Sequence, residues 1–178
     1  MVSQLKVNEI IKQSGSSITI GEAGDNITFP STGTASGILT NVPAFHVTRN
    51  ATQSISNDTE TVVAFDSEVL DTDNKYDLGG THRFTPTVAG KYFLYACAMM
   101  YSNTNMQMHI RKNGTKILAF RDRGGANTND QSFYTGGIVI ADADDYFDVI
   151  FKQVSGGSVN LQGNDFATFF GGYRIVGA

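Results

Sequence analysis

The hydrophobic residues from Pro43 to the C-terminus recur with the two-residue period of β-strands, and turn-forming residues separate the apolar runs. Asn113-Gly114 stands between two alternating arms, which is a strong signal for a β-hairpin. No helical period appears in this part of the sequence. The pattern predicts about eight to ten short strands, packed as a sandwich or jelly roll. The predicted strand segments are residues 43–49, 61–69, 82–88, 92–101, 106–121, 132–154, 159–163 and 167–176.

The run YFLYACAMMY at residues 92–101 is apolar at every position, whereas a strand with one face in water alternates apolar and polar residues. The C-terminal segment FATFFGGYRI has much of the same double-sided character. Either another subunit or a third layer within the chain must cover the second face, and the lack of a helical segment favours the subunit. One side of the run carries Leu94, Ala96, Ala98 and Met100, and the other carries Phe93, Tyr95, Cys97, Met99 and Tyr101.

Residues 1–42 differ from the rest of the chain, because short apolar pairs lie in a background of Gly, Ser and Thr. Residues 18–21 and 27–30 alternate apolar and polar residues, and residues 5–11 fit either a strand or one helical turn. Runs this short cannot form a core within one chain. They fit either a stem in which several chains wrap together or a disordered tail. We therefore divide the chain into an N-terminal stem, residues 1–42, and a head domain, residues 43–178.

The net charge of −4 and the pI of about 5.2 give no electrostatic support for binding to nucleic acid or to an anionic membrane. The single Cys excludes an intrachain disulfide and a multi-cysteine zinc site. The quoted run is too short for a membrane-spanning helix, which needs about 20 apolar residues. The first residues contain no basic region followed by an apolar run, so we expect no secretory signal.

The sequence contains no recognisable catalytic or metal-binding motif. His46, His82 and His109 are far apart and lack metal-ligand spacing, and no nucleophile elbow is present. Cys97 lies in an apolar run without a basic neighbour, which indicates a buried and unreactive thiol. We therefore predict no catalytic residue, no metal and no cofactor.

Two acidic segments and one basic loop are the remaining candidates for binding. Residues 71–77 place Asp residues as at the start of a calcium loop, but Lys75 takes a ligand position and Tyr76 replaces the required Gly. This segment and residues 142–145 are predicted to be solvated turns, with a metal site between subunits as the alternative. The loop at residues 121–130 fits either a plain connection or a ligand loop. Its candidate ligand-binding residues are Arg121, Arg123, Asn127 and Asn129.

The segment that begins at Arg83 carries a recurrent family signature. Phe84, Pro86, Gly90 and Tyr92 match the pattern F-x-P-x-x-x-G-x-Y-x-F, although Leu94 stands in place of the last Phe. In this respect the chain resembles the complement C1q globular head and the tumour-necrosis-factor-like ligands. Segments similar to other parts of the same family follow one another in the expected order at residues 65–77, 134–151 and 168–175. The resemblance covers residues 43–178 and implies a jelly-roll head.

The same resemblance implies a homotrimer in which the double-sided strands pack around a threefold axis. The aromatic residues that it places at the axis are Phe93, Tyr95, Tyr134, Phe169 and Tyr173. We extend the predicted interface to Cys97, Met99, Tyr101 and Ile175, which share these strand faces. Cys97 and Met99 depart from the family pattern.

Residues 1–42, of the form LKVNEI…SG…ITIG…ITFP, are similar to the openings of virion proteins from tailed phages, especially marine and cyanobacterial ones. This resemblance implies a virion protein that is assembled in the host cytoplasm and joins other virion proteins through its stem. The expected anchor residues are Leu5, Val7, Ile10, Ile11, Ile18, Ile20, Ile27 and Phe29.

Two functions fit such a protein, and both are non-enzymatic. The trimer is either an outward-facing tail-fibre or receptor-binding head, with a host surface polysaccharide as its ligand, or a decoration protein on the capsid. An enzyme such as a depolymerase would need two carboxylates roughly 5–10 Å apart in a cleft, and the sequence does not pair any. The expected partners are two more copies of the chain, other virion proteins and a host glycan, without nucleic acid or membrane insertion.

Overall fold

The computed structural model describes residues 10, 11, 14, 42–101, 105–122 and 130–175. The chain divides into two compact units, Met1–Thr40 and Asn41–Ala178, and the architecture below is that of the second. Its described residues form strands and no α-helix, so none of them could cross a membrane as a helix, and the predicted all-β class is confirmed. The strands are β1 Ala44–Thr48, β2 Gln53–Ile55, β3 Thr61–Val62, β4 Ser67–Asp71, β5 Gly90–Tyr101, β6 Asn105–Lys112, β7 Thr115–Asp122, β8 Asp130–Ala141, β9 Phe147–Val154, β10 Val159–Leu161 and β11 Phe169–Arg174.

The strands form two antiparallel sheets that enclose the core as a jelly-roll sandwich. The large sheet has the order β2-β10-β5-β11-β1-β4, and β8 pairs with β5 along its whole length. The small sheet has the order β3-β9-β6-β7. Because β11 and β8 both pair with β5, the double-sided run lies inside the large sheet and has a partner strand on each side.

The hydrophobic core lies between the two sheets. The side chains that the alternation of β5 places on one face, Leu94, Ala96, Ala98 and Met100, are all fully buried there, which confirms this half of the pattern. Phe45 is central to an aromatic cluster, because its ring centroid lies 4.0 Å from that of Phe84 and 4.9 Å from that of Phe170. The small sheet contributes Met106, Met108, Ile110, Val149 and Phe151.

Two predicted strands differ from the structure. Residues 82–88 form no strand: Phe84 alone makes bridges, to Tyr76 and Phe147, and Pro86 has no N–H with which to continue a ladder. The predicted strand at 61–69 is divided into β3 in the small sheet and β4 in the large sheet. The chain crosses from one sheet to the other at residues 63–66 and buries Val63 and Phe65 as it does so.

The hairpin predicted at Asn113-Gly114 is confirmed as the connection between β6 and β7. Both residues have positive φ angles, 51° and 79°, as a two-residue type I′ turn requires. The Asn113 side chain also fixes the neighbouring β8–β9 turn. Its amide donates to Asp145 Oδ1 at 2.6 Å, and its oxygen accepts from the Tyr146 N–H at 2.9 Å.

The strand directions give the sandwich two distinct ends. The entry end contains Val42, where the chain enters the head domain, and the β6–β7 and β8–β9 turns. The far end contains the last residues of β5, β7 and β9 and the first residues of β6 and β8. Val42 and the far end therefore lie at opposite ends of the sandwich.

Candidate subunit interface

The side chains of the large sheet that point away from the core form one continuous surface, which we call the aromatic face. Directly opposite residues of antiparallel strands project to the same side, so the register defines the rows of this face. Across β11, β5 and β8 the rows are Tyr173–Phe93–Ile138, Gly171–Tyr95–Gly136 and Phe169–Cys97–Tyr134. His46 of β1 lies opposite Gly171, and Leu70 of β4 lies opposite His46. The face therefore spans five strands.

The aromatic face leaves large apolar side chains in water in a single copy of the chain. The exposed fractions are 65% for Ile138, 70% for Ile140, 52% for Tyr134 and 48% for Tyr173. Soluble monomers rarely expose a contiguous apolar patch of this kind, and large patches mark interaction sites. The surface is thus suited to packing against another protein surface.

Tyr95 lies flat across the middle of the aromatic face. Its hydroxyl lies 3.0 Å from His46 Nδ1 and forms a hydrogen bond with it, and the Phe169 ring packs edge-on against Tyr95 and at a tilt against His46. Gly171 stands between the two partners and makes this contact possible. A Cβ atom at Gly171 would lie 2.4 Å from the Tyr95 hydroxyl oxygen and 2.9 Å from the Phe45 carbonyl oxygen.

We predict that Gly171→Ala destabilises the head by about 1–3 kcal/mol, because the new methyl group meets backbone on one side and the Tyr95 ring on the other. Thermal unfolding at one fixed protein concentration measures the effect. Gly157→Ala is the matched control, since a Cβ atom at Gly157 has no neighbour within 4 Å. Equal unfolding temperatures for the two variants would show that the flat position of Tyr95 is not required.

Burial favours the uncharged forms of three side chains of the aromatic face, Tyr95, Cys97 and His46. It raises the pKa of Tyr95 and of the Cys97 thiol, and it lowers the pKa of His46. The side chains that surround His46 come from Tyr95, Phe169 and Leu70, and none of them is a carboxylate that could stabilise an imidazolium. The Cys97 thiol is buried as well, in agreement with the unreactive role predicted for it.

We predict that acidification below about pH 6.5 destabilises the head. The folded pKa of His46 is lowered, so the unfolded chain binds the proton more readily and stability is lost as the pH falls. The buried His109, whose pKa is lowered chiefly by burial, acts in the same direction. The unfolding temperature should be lower at pH 5.5 than at pH 7.5, and His46→Gln should make this difference smaller. An unfolding temperature that rises on acidification would contradict this assignment.

The predicted interface residues lie where the strand pattern puts them. Seven of them, Phe93, Tyr95, Cys97, Met99, Tyr134, Phe169 and Tyr173, belong to the aromatic face. Ile175 follows β11 and donates its N–H to the Lys91 carbonyl at 2.8 Å. Tyr101 is the last residue of β5, and the structure describes its backbone but not its side chain. A shared face does not establish contact with a second subunit, so the interface stays a prediction.

Four members of the aromatic face were not selected from the sequence: Ile138, Ile140, His46 and Leu70. Ile138 and Ile140 could have been predicted from the sequence, because they lie an even number of residues from Tyr134 along one strand and so share its face. His46 and Leu70 could not, since their position depends on the pairing of β1 with β11 and β4.

The acidic segments form turns that use their own carboxylates. Asp71 accepts from the backbone N–H groups of Lys75 and Tyr76, both at 2.6 Å, as predicted for a turn. Asp145 was predicted to be solvated, and this is wrong: it is buried, pairs with Lys112 at 2.6 Å and accepts from Asn113. The described residues hold no group of three or more potential metal ligands.

The other predicted sites fall largely outside the described residues. Arg121 is the penultimate residue of β7 and is exposed, whereas Arg123, Asn127 and Asn129 are not described. Of the predicted anchor residues, Ile10 and Ile11 are described and exposed. The others, Leu5, Val7, Ile18, Ile20, Ile27 and Phe29, lie outside the described residues. The boundary at residue 42 and the anchoring role of the stem stay predictions.

Comparisons with known proteins give the same fold. The family model of the C1q domain matches residues 44–175. Murine APRIL, in a crystal structure at pH 5.0, is 16% identical over 76% of this chain and 100% of its own, with a TM-score of 0.61. The globular domain of zebrafish complement 1qA is 18% identical over 76% of this chain and 98% of its own, with a TM-score of 0.58.

The tumour necrosis factor Eiger from S. frugiperda is 11% identical over 77% of this chain and 93% of its own, with a TM-score of 0.56. At such identities the solved structures establish the fold alone. No curated protein is significantly similar to this sequence. Because the family model matches most of the sequence, the chain belongs to the C1q domain family.

Proposed function

We propose that three copies of this chain assemble through the aromatic face, and that the trimer is a non-enzymatic binding head on a tailed-phage virion. The exposed aromatic face is the observation that carries the proposal. Its uncharged tyrosine, phenylalanine and isoleucine side chains would be in water in a monomer and would be covered in a trimer. Trimeric assembly is typical of this fold, and its domains are generally binding modules.

The shape of the aromatic face favours a cyclic assembly over a partner of another kind. Exposed apolar side chains occur at both edges of the sheet, with Leu70 on β4 and with Ile138 and Ile140 on β8. A heterologous contact, in which two different edges of the same surface meet, closes into a ring when the rotation between subunits fits. A threefold ring would cover both edges and leave none of the face in water.

The role on a virion is supported by the resemblance of residues 1–42 to the openings of phage virion proteins. We infer that the stem joins the particle and that the head faces outward. Adhesion as a tail fibre or receptor-binding tip is the first function. Capsid decoration is the second, because the same trimer could lie on a threefold position of the capsid.

The proposed attachment is tested by deleting residues 1–42. We predict that the truncated head remains folded and trimeric, because the core and the aromatic face lie in the residues that it keeps. When it replaces the full chain during phage assembly, it should be absent from the particles, as measured by mass spectrometry of purified virions. Incorporation of the truncated head at the level of the full chain would contradict the role of the stem.

The two functions are separated by locating the chain on the particle. Gold-labelled antibodies against the head should mark the tail tip or fibres if the protein is an adhesin, and the capsid surface if it is a decoration protein. A particle without any label, under conditions in which recombinant head is labelled, would contradict both.

A further inference from the structure

A polar cleft opens at the far end of the sandwich, on the opposite sheet from the aromatic face. It has a volume of about 590 Å³, which is within the usual range for small-ligand sites. The lining residues come from the last part of β7, the first part of β6 and the end of β9, and they are Asn105, Gln107, Arg121, Asp122 and Val154. The cleft is thus separate from the subunit contact proposed above.

The register of the small sheet brings these side chains together. Gln107 lies directly opposite Arg121 of β7, and Asn105 lies directly opposite Val154 of β9. Alternate residues of β6, Met106 and Met108, are buried in the core, so Asn105 and Gln107 project to the outer surface. Two amides and one guanidinium therefore face the same space beside one apolar side chain.

Arg121 is the cation of the cleft whose charge remains uncompensated within the described part of the chain. The other cations on this side of the small sheet are neutralised, because Lys116 pairs with Glu60 and Lys152 pairs with Asp58. No described carboxylate forms an ion pair with Arg121, and Asp122 already has an interaction of its own. The positive charges of Lys116 and Arg121 also contribute to the lowered pKa of the buried His109.

This combination of groups fits a sugar chain that carries carboxylates. A guanidinium binds a carboxylate with two parallel hydrogen bonds, and the amides of Asn105 and Gln107 can both donate to and accept from hydroxyl groups. Val154 offers an apolar surface to the C–H face of a sugar ring. A peptide that added a strand would pair with the backbone of β7, an edge strand of the small sheet, whereas Asn105, Gln107 and Arg121 project from the outer surface of that sheet.

We propose that the cleft binds a segment of an acidic polysaccharide, with Arg121 paired to a uronate carboxylate and with Asn105 and Gln107 bonded to ring hydroxyls. The proposal rests on the adhesion function proposed above and names the class of ligand for it. The cleft opens on the opposite sheet from the aromatic face, so assembly through that face would leave it accessible to a sugar.

Isothermal titration of the full chain with a trimer of galacturonic acid, and with the neutral trimer of galactose, tests the cleft. We expect measurable binding of the acidic sugar that weakens at least tenfold in Arg121→Ala and recovers in part in Arg121→Lys. The neutral sugar should bind at least tenfold more weakly than the acidic one. Lys75→Ala is the matched control, because it removes an exposed cation at the entry end and should leave the affinity within twofold.

The proposal is overturned if the galacturonate trimer does not bind at millimolar concentrations, or if Arg121→Ala leaves its affinity unchanged. Equal affinity for the galactose trimer would also overturn the pairing with a uronate. Adsorption of particles to host cells distinguishes a failure of the proposed cleft ligand from a failure of the proposed adhesion function. Normal adsorption by particles that carry Arg121→Ala would contradict the role of the cleft in host binding but not the adhesion function. A capsid location of the chain would contradict the adhesion function, whatever the cleft binds.

Discussion

Ile138→Asp should convert the trimer into monomers that remain folded. Ile138 is 65% exposed in the single chain, so an aspartate there is hydrated and costs the isolated head little. In the trimer the same carboxylate would be withdrawn from water, and a buried charge that lacks a counter-charge costs about 3–5 kcal/mol. The apparent Kd for association should therefore rise at least about 100-fold. Light scattering gives the molar mass, and circular dichroism verifies that the β-structure is retained.

Ile117→Asp is the matched control for this substitution. Ile117 is 37% exposed on β7, at the edge of the small sheet and outside the aromatic face. The same change in charge and side-chain size there should leave the trimer intact. Dissociation of both variants would mean that added negative charge, rather than burial of the aromatic face, weakens the assembly. A trimeric Ile138→Asp chain would show that this row of the face lies in solvent.

Asp148→Ala should cause the largest loss of stability within a single head. Asp148 is fully buried, and its two carboxylate oxygens accept from Arg111 Nε at 2.7 Å and Arg111 Nη2 at 2.6 Å. Arg83 approaches the same carboxylate at 3.6 Å. Removing the carboxylate leaves the Arg111 guanidinium, whose side chain is only 18% exposed, without its counter-charge, and the loss of a partner in a buried pair costs about 3–5 kcal/mol. The unfolding temperature should fall by roughly 10–20 °C at constant protein concentration.

The double variant Arg111→Met with Asp148→Leu separates the loss of the pair from the loss of one partner. Replacing both charges with apolar side chains of similar size leaves nothing unpaired, so the double variant should be far closer to the wild type than Asp148→Ala. If the double variant is as unstable as the single one, the pair itself stabilises the head. If Asp148→Ala unfolds at the wild-type temperature, Arg111 reaches water when its partner is absent.

The alternation of residues along single strands was sufficient to predict the class of fold and the sidedness of β5. Leu94 and Met100 were assigned to one face and Phe93 and Tyr95 to the other, and the sandwich buries the first pair completely. The Asn113-Gly114 hairpin was equally local, since its positive φ angles are a property of two residues. Such features depend on neighbours in sequence and need no knowledge of the tertiary fold.

Contacts between distant segments could not be predicted in this way. The hydrogen bond of Tyr95 to His46 joins residues 49 apart and depends on the pairing of three strands around Gly171. The burial of Asp145 and Asp148 was missed for the same reason. Their partners Lys112 and Arg111 lie on another strand, and a run of aspartates next to a turn otherwise indicates solvent. The cleft at Arg121 likewise exists because β6, β7 and β9 end together.

The molar mass of the full chain in solution tests the central claim, assembly through the aromatic face, most directly. Light scattering at two protein concentrations should give three times the 19.2 kDa mass of one chain at both. That result would mean that neighbouring copies cover the outer side of YFLYACAMMY. A mass of 19.2 kDa at both concentrations would contradict the account, because the aromatic face would then remain in water in the native protein.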